Sequence, residues 1–292
     1  MENLQRTPSD MNDHHKGVLY ALAAAALNAS IGVLTKTLVA LGFAPSSIAG
    51  LKTVIGFLIL LGIVLAQAPR QLHGKWLQAG ICAFFGIFVL FHFETAAYAH
   101  QSAANVVVML MACAAFSAMA LGWPMLGDRP RRRQVLGLLV AVLGVALICG
   151  ASLGGDLQGL LLAAIAGTGY GIFSVLVKKL GLQGGFALTT RLLFFGSLYL
   201  GIAVQPENLA QAQWSATAVL LLVLLAVFPT VLGFVCTTRA IQHLSPGHVQ
   251  TLELAEPVFA AVFALVMLGE VPASGALVGG AVVMLGLYLS AS

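Results

Sequence analysis

The sequence predicts an all-α integral membrane protein of ten transmembrane helices, arranged as two inverted five-helix repeats. Three observations predict it. The 292 residues are 60% hydrophobic and only 8% charged, with a mean hydropathy of +0.98, whereas a soluble domain carries about 25% charged residues. The apolar runs reach the length of about 20 residues that a helix needs to cross a bilayer, and none alternates at the period of two expected of a porin strand. Finally, one sentence of residues is spoken twice: Leu126-Gly127-Asp128-Arg129-Pro130 with Gly137, Val140, Leu143 and Gly144 following, then Leu268-Gly269-Glu270-Val271-Pro272 with Gly279, Val282, Leu285 and Gly286 following. Each copy reads as a helix end, an acid, a proline that starts the next helix and a stripe of small residues along it. Repetition of this kind marks a duplicated unit.

In chain order, residues 1–16 form a polar cytoplasmic tail. A first unit, residues 17–150, carries spans at 17–40, 46–67, 76–95, 102–123 and 134–150. A second, residues 151–292, carries spans at 158–180, 186–204, 214–237, 248–268 and 273–290. The first run is too long for a signal-peptide core and reads as an uncleaved helix. Breakers mark the joins: Pro45, Pro69, Gly127 to Pro130, Gly154-Gly155, Gly184-Gly185, Pro206, Pro246 and Pro272.

The repeat reaches further than its opening pair. Gly17 matches Gly159, Lys36 matches Lys178 and Leu38 matches Leu180 at one offset, and Trp76 matches Trp214 after a small change in loop length. Five helices is an odd number, so the second unit must cross the membrane upside down relative to the first. Shared packing of apolar helices through small residues explains the glycines alone; the matched acid, proline and lysine favour duplication.

Orientation follows from the basic residues. With the N-terminus in the cytoplasm, all 14 Lys and Arg except Lys36, Lys52 and Arg191 fall in the tail or in inner connections. Both termini are therefore expected in the cytoplasm of a bacterial-type inner membrane. Trp76, Trp123 and Trp214 are read as anchors at cytoplasmic span ends. The charge of +4 is a topology signal, not a phosphate-binding face, so no nucleic-acid partner is expected. Cys82, Cys113, Cys149 and Cys236 lie inside apolar spans without close pairs, which offers neither a disulfide framework nor a zinc spacing. No cofactor or metal is expected.

The candidate site residues are the polar ones inside spans. Gln250, Glu253 and Glu256 lie three apart and share a helix face. A carboxylate in hydrocarbon costs several kcal/mol unless it is paired, protonated or facing water. Glu256 is therefore read as a substrate-ammonium contact or proton carrier; for Glu253 the same role stands beside simple contact with headgroups. Asn28 and its counterpart Tyr170 carry polar tips that need partners, either substrate in a midplane cavity or a neighbouring helix. Lys52 is placed to meet a substrate carboxylate or to pair with Glu94. Tyr98, with His92, Glu94 and His100, is assigned to a polar outer vestibule. His92-Phe93-Glu94 resembles the opening of a deaminase zinc motif, but the Pro-Cys-x-x-Cys that should follow is absent. Arg239, His243 and His248 are placed at the cytoplasmic entrance, as headgroup anchors. Pro229 and Pro257 inside spans permit kinks.

Several of these residues carry a family resemblance. Leu126-Gly127-Asp128, Leu268-Gly269-Glu270, Ala255-Glu256-Pro257 and the run from Ala97 to Leu110 resemble paired EamA domains of the drug/metabolite transporter superfamily. The likeness covers nearly the whole chain. Asp128 departs from the usual Glu, and Ala114-Ala115 stand where the second unit has Glu256-Pro257. The resemblance implies a ten-helix exporter of the inner membrane; branches of the family carry amino acids, other metabolites and drugs. A small-molecule substrate, taken here as an amino acid or similar amphipathic metabolite, is thus the expected partner besides the bilayer. The oligomeric state is open between a monomer, slightly favoured, and a dimer through Gly275, Gly279 and Gly286. Multidrug export is the alternative within the family. An intramembrane enzyme is the alternative outside it, and no His-Glu-x-x-His run or Gly-x-Ser-x-Gly elbow supports it. A Walker-type loop is likewise missing from the sequence, so transport is read as secondary.

Overall fold

The computed structural model describes residues 8–67, 69–101, 103–148, 156–260, 262 and 274–291, and all regular structure among them is helical. The Leu268 to Pro272 motif and Cys149 lie outside the described residues. Helix α1 (Pro8–Asn28) begins well inside the expected tail and continues, after a two-residue break, as α2 (Ile31–Ala40). Next come α3 (Pro45–Gln67), α4 (Trp76–Ala83) and α5 (Leu90–His100), the last two joined by π-helix at Phe84–Val89. The third span thus extends to His100, past its expected end at Thr95. Helices α6 (Ala103–Leu126) and α7 (Arg132–Ile148) complete the first unit.

The second unit opens with α8 (Leu157–Lys179), α9 (Phe186–Ala203) and the short α10 (Pro206–Gln211). Then α11 (Ala216–Leu225) and α12 (Phe234–His243) are joined by π-helix at Ala226–Gly233. Last are α13 (Pro246–Glu253), a helical run α14 at 256–260, and α15 (Ser274–Ala291). Among the described residues, seven helical stretches are long and apolar enough to cross a membrane: Asp13–Ala40, Pro45–Gln67, Trp76–His100, Asn105–Leu126, Leu157–Lys179, Phe186–Ala203 and Ala216–His243. Helix α7 has 17 residues, and Val278–Ser290 is a shorter apolar run. Large apolar side chains such as Leu19, Leu58, Leu77, Leu161, Ile202 and Tyr288 point outward. In water such a belt would aggregate; hydrocarbon is its natural solvent.

The breaks and bulges have local causes. Pro229 has no N–H for the Leu225 carbonyl, and the Thr230 hydroxyl donates to that carbonyl instead, at 2.9 Å. This satisfies a buried acceptor and holds the widened turn open. The two π-helical stretches start at Phe84 and Ala226, the offset that relates Gly17 to Gly159. The stretch expected as a ninth span is broken: Leu254 and Ala255 donate three residues back, to Thr251 and Leu252, and Pro257 stands at the start of the next helical run. Helix α6, with Ala114-Ala115 at the corresponding place, runs through unbroken.

Small residues set the closest packing. Helices α7 and α15 cross antiparallel, with Gly137 against Gly286 and Ser290, and Gly144 against Gly279 and Val283. A methyl group on Gly137, Gly144 or Gly286 would collide with the facing backbone, so Gly279 and Gly286 are used inside the chain. Gly17 packs on His243 and Leu244, and Gly159 on His100 and Gln101.

The two ends of the bundle differ in charge. Lys75 Nζ donates to the Leu180 carbonyl at 2.6 Å, and Lys178 Nζ to the carbonyls of Ile241, Gln242 and Leu244. This end also gathers His14, the 127–134 connection and residues 243–248 around one recess. At the other end Gln213 N donates to the Leu41 carbonyl, and Trp214 packs edge-on against Phe43. Trp214 is therefore at the end opposite Trp76 rather than on the same side, because five helical runs, α4–α5 together, α6, α7, α8 and α9, carry the chain from one tryptophan to the other.

Candidate functional site

Midway between these ends lies a cavity of about 20 Å3, lined by Asn28, Lys52, Glu94, Tyr170, Thr230 and Glu256 among apolar neighbours. That is room for roughly one water molecule, so the cavity is closed in this conformation. Its charged lining is three side chains, Lys52, Glu94 and Glu256, from three different spans.

Lys52 is only 1% exposed. Its Nζ lies 3.8 Å from Glu94 Oε2 and 3.9 Å from the centre of the Phe91 ring. A charged N–H···O hydrogen bond measures about 2.7–2.9 Å, so the ion pair is loose and shares the ammonium with a cation–π contact. Burying each ion costs several kcal/mol, and a pair at this spacing offsets that only in part. Glu256 is 4% exposed, and its Oε2 has no hydrogen-bond partner.

Behind the cavity, α8, α12 and α13 share a hydrogen-bonded network. The Tyr170 hydroxyl donates to Glu253 Oε2 at 2.8 Å, and the Thr237 hydroxyl donates to Glu253 Oε1 at 2.7 Å. Gln250 Nε2 donates to Ser174 Oγ at 2.9 Å, and Ser174 donates to the Tyr170 carbonyl. Aromatic rings enclose the phenol: Phe173 and Phe234 each lie 6.1 Å from the Tyr170 ring, and Phe91 lies edge-on to Phe234. Two hydroxyl donors on one fully buried carboxyl satisfy both of its oxygens. Glu253 is thus held deep in the bundle and makes no headgroup contact.

Of the residues singled out from sequence, Asn28, Lys52, Tyr170 and Glu256 line the cavity, while Glu253 and Gln250 stand in the network behind it. Tyr98 is buried against Gly32 and is not among the cavity-lining residues. The expected outer vestibule does not assemble: His92 stacks on Phe88, Glu94 turns inward, and His100 pairs with Asp156 at 3.1 Å. The i, i+3 and i+4 geometry of one helix carries Glu94 inward while His92 and His100 face elsewhere. Sequence reasoning missed Thr237, Ser174, Thr230, Phe91 and Phe234. The threonines and the serine are common in membrane helices, and Thr230 alone carried a signal, its place directly after Pro229.

A multi-span helical bundle with a small, closed, charge-lined cavity between segments from early and late in the chain has the build of a membrane transporter. Residues 15–150 and 157–292 each match the EamA-like transporter family, so the chain belongs to that family. It is 25% identical over 263 residues to a probable amino-acid metabolite efflux pump of Salmonella typhimurium, covering 84% of this chain and 85% of the relative. It is 32% identical over 193 residues to a probable terminal-alkyne amino-acid exporter of Streptantibioticus cattleyicolor, covering 64% and 63%. An uncharacterized transporter of Clostridium kluyveri is 23% identical over 255 residues, covering 82% of each chain. One crystal structure superposes with a TM-score of 0.75 at 19% identity over 94% of this chain and 96% of the other, a likeness of fold. The matched segments both contribute to the cavity: Asn28 to Met111 from the first, Tyr170 to Glu256 from the second.

Proposed function

We propose that the protein is a secondary exporter of amino acids or similar small amphipathic metabolites, working by alternating access. The observation that carries the reading is the buried Glu256 Oε2, without a hydrogen-bond partner, in the same closed cavity as the loosely paired Lys52. A zwitterion has a partner for each: its carboxylate replaces Glu94 at Lys52, and its ammonium meets Glu256. Asn28 and Tyr170 flank the bound backbone, Gln250 steadies the Tyr170 wall through Ser174, and the Phe91 and Phe234 rings face the apolar side chain. Tyr98, packed on Gly32, acts through the α2 wall. The names of the Salmonella and Streptantibioticus relatives support the substrate class.

Inverted symmetry is the frame of this cycle. Gly137 and Gly279 are sequence counterparts, as are Gly144 and Gly286, yet the contacts are exchanged: Gly137 meets Gly286 and Gly144 meets Gly279. A pseudo-twofold axis produces that exchange. The paired π-helical stretches and the opposite ends taken by Trp76 and Trp214 support the same axis. Ten spans, both termini at the basic end in the cytoplasm, an inner-membrane location and a monomeric working unit complete the proposal.

Proton and substrate compete for Glu256: the empty carrier takes up a proton there, the substrate ammonium binds the ionised form, and the two cross in opposite directions, with Glu253 behind the site. Three carboxyls and one ammonium in so dry a volume leave excess negative charge, which a proton removes at far lower cost than desolvated ions. Counterflow in proteoliposomes tests the whole reading: amino acids should exchange and be recovered intact, and Glu256→Gln should abolish stimulation by an imposed pH gradient. Competition by cationic drugs but not by amino acids would replace it with multidrug export. A chemically altered product would point to an enzyme.

A further inference from the structure

Away from the central cavity, the basic end of the bundle holds a recess of about 360 Å3, within the size range of small-molecule sites. The 127–134 connection, the 243–248 turn, His14 of α1 and Ser290 of α15 surround it. Among the described lining residues, Arg129, Arg131 and Arg133 stand with one carboxylate, Asp128, while Asp13 comes within 4.0 Å of the lining His243. Arg129 is stacked 5.5 Å from the Trp123 ring, which limits its freedom without using its N–H donors.

Two further lining groups set this recess apart from an ordinary solvated basic loop. Ser290 is 3% exposed and its Oγ has no hydrogen-bond partner; His248 is 7% exposed and its Nε2 has none. A helical serine ordinarily satisfies its hydroxyl on the carbonyl four residues back, and a buried polar atom left without a partner costs about as much as a lost hydrogen bond. Both residues line the recess. Their missing partner is therefore whatever fills it, and three guanidinium groups over one lining carboxylate select an oxyanion.

We infer that this recess is a binding site for a phosphate ester, the headgroup of an anionic phospholipid or a soluble phosphomonoester, held by Arg129, Arg131, Arg133, Ser290 and His248. Guanidinium pairs bidentately with phosphate oxygens, and a serine hydroxyl and an imidazole N–H add directed donors from the buried wall. The volume exceeds a bare phosphate and leaves room for its substituent. The recess joins α1, the end of α6, the turn before α13 and the end of α15, so its occupant ties together elements from both ends of the chain.

The test uses the full-length protein in nanodiscs and reads thermal stability. In phosphatidylcholine discs, glycerol 3-phosphate and inorganic phosphate are titrated against sodium chloride at equal ionic strength. A second series replaces part of the lipid with phosphatidylglycerol. Stabilisation by soluble glycerol 3-phosphate marks a free ester as ligand; stabilisation only in the phosphatidylglycerol discs marks the lipid. In either arm Ser290→Ala, which keeps the Cβ and the helix packing, should weaken the response about tenfold. The R129Q/R131Q/R133Q variant, exposed and harmless to the core, should lose it, and Arg70→Gln, a basic residue outside the recess, should keep it. No response beyond that to chloride in either series, or an equal response in Ser290→Ala and wild type, overturns the proposal.

Discussion

At the residue scale, the cavity wall is held by two different kinds of interaction, and substitutions separate them. Tyr170→Phe removes one of the two hydroxyls that satisfy Glu253 and should cost about 1–3 kcal/mol, the penalty of an under-bonded buried acceptor. Thermal melts in detergent read this directly. Adding Thr237→Val should cost more, but not additively, since both donors serve one carboxyl. Lys52→Met should be worse alone than paired. It leaves Glu94 buried without its cation, at about 3–5 kcal/mol, whereas the K52M/E94Q double variant removes both charges and should recover most of the stability. Transport should stay lost in the double variant, and a double variant that both melts and transports normally would assign the pair to structure alone. The acids and the lysine were legible in the sequence because a charge in an apolar run is conspicuous. Their partners were not, because a threonine or phenylalanine in such a run carries no mark of what it faces.

At the element scale, irregular helices surround the cavity. The π-helix at Ala226–Gly233 is held by a proline without a donor and a threonine that supplies one. Pro229→Ala restores the backbone N–H and lets the segment wind as ordinary α-helix. Folded stability should hold or rise slightly, and the transport rate should fall, as initial rates of counterflow would show. The α7–α15 pair is the opposite case, regular and tight. Gly144→Val or Gly286→Val forces a side chain onto facing backbone and should destabilise by more than the 1–3 kcal/mol of ordinary overpacking, since backbone cannot rotate away. Sequence placed these glycines correctly on one stripe. It left open whether they served a second copy or a neighbouring helix; the structure uses them within the chain.

At the scale of the whole molecule, the charge asymmetry of the two ends makes a topological prediction. Single cysteines at Gln183 and His73 should react with an impermeant thiol reagent only from the cytoplasmic side. Cysteines at Ala44 and Asn208 should react only from the other side, with the native cysteines replaced by serine or alanine as background. Labelling of all four from one side would refute the arrangement of spans. The proposed alternating-access cycle adds a second expectation: substrate should shift the labelling rate at the two ends in opposite directions, since in that cycle opening one mouth closes the other.

What the sequence determined by itself was the solvent, the helical class, the family and the identity of the costly side chains. These follow from composition, run length and repeated motifs, which are local properties that no packing can undo. Only the tertiary structure decided that Glu94 joins Lys52 at the centre rather than an outer vestibule, that Glu253 is satisfied by Tyr170 and Thr237 while Glu256 is left waiting, and that Trp214 lies opposite Trp76. Those outcomes depend on which face of each helix turns inward and on which neighbour it meets, and an apolar helix in lipid has too little contrast between its faces for sequence to record the choice.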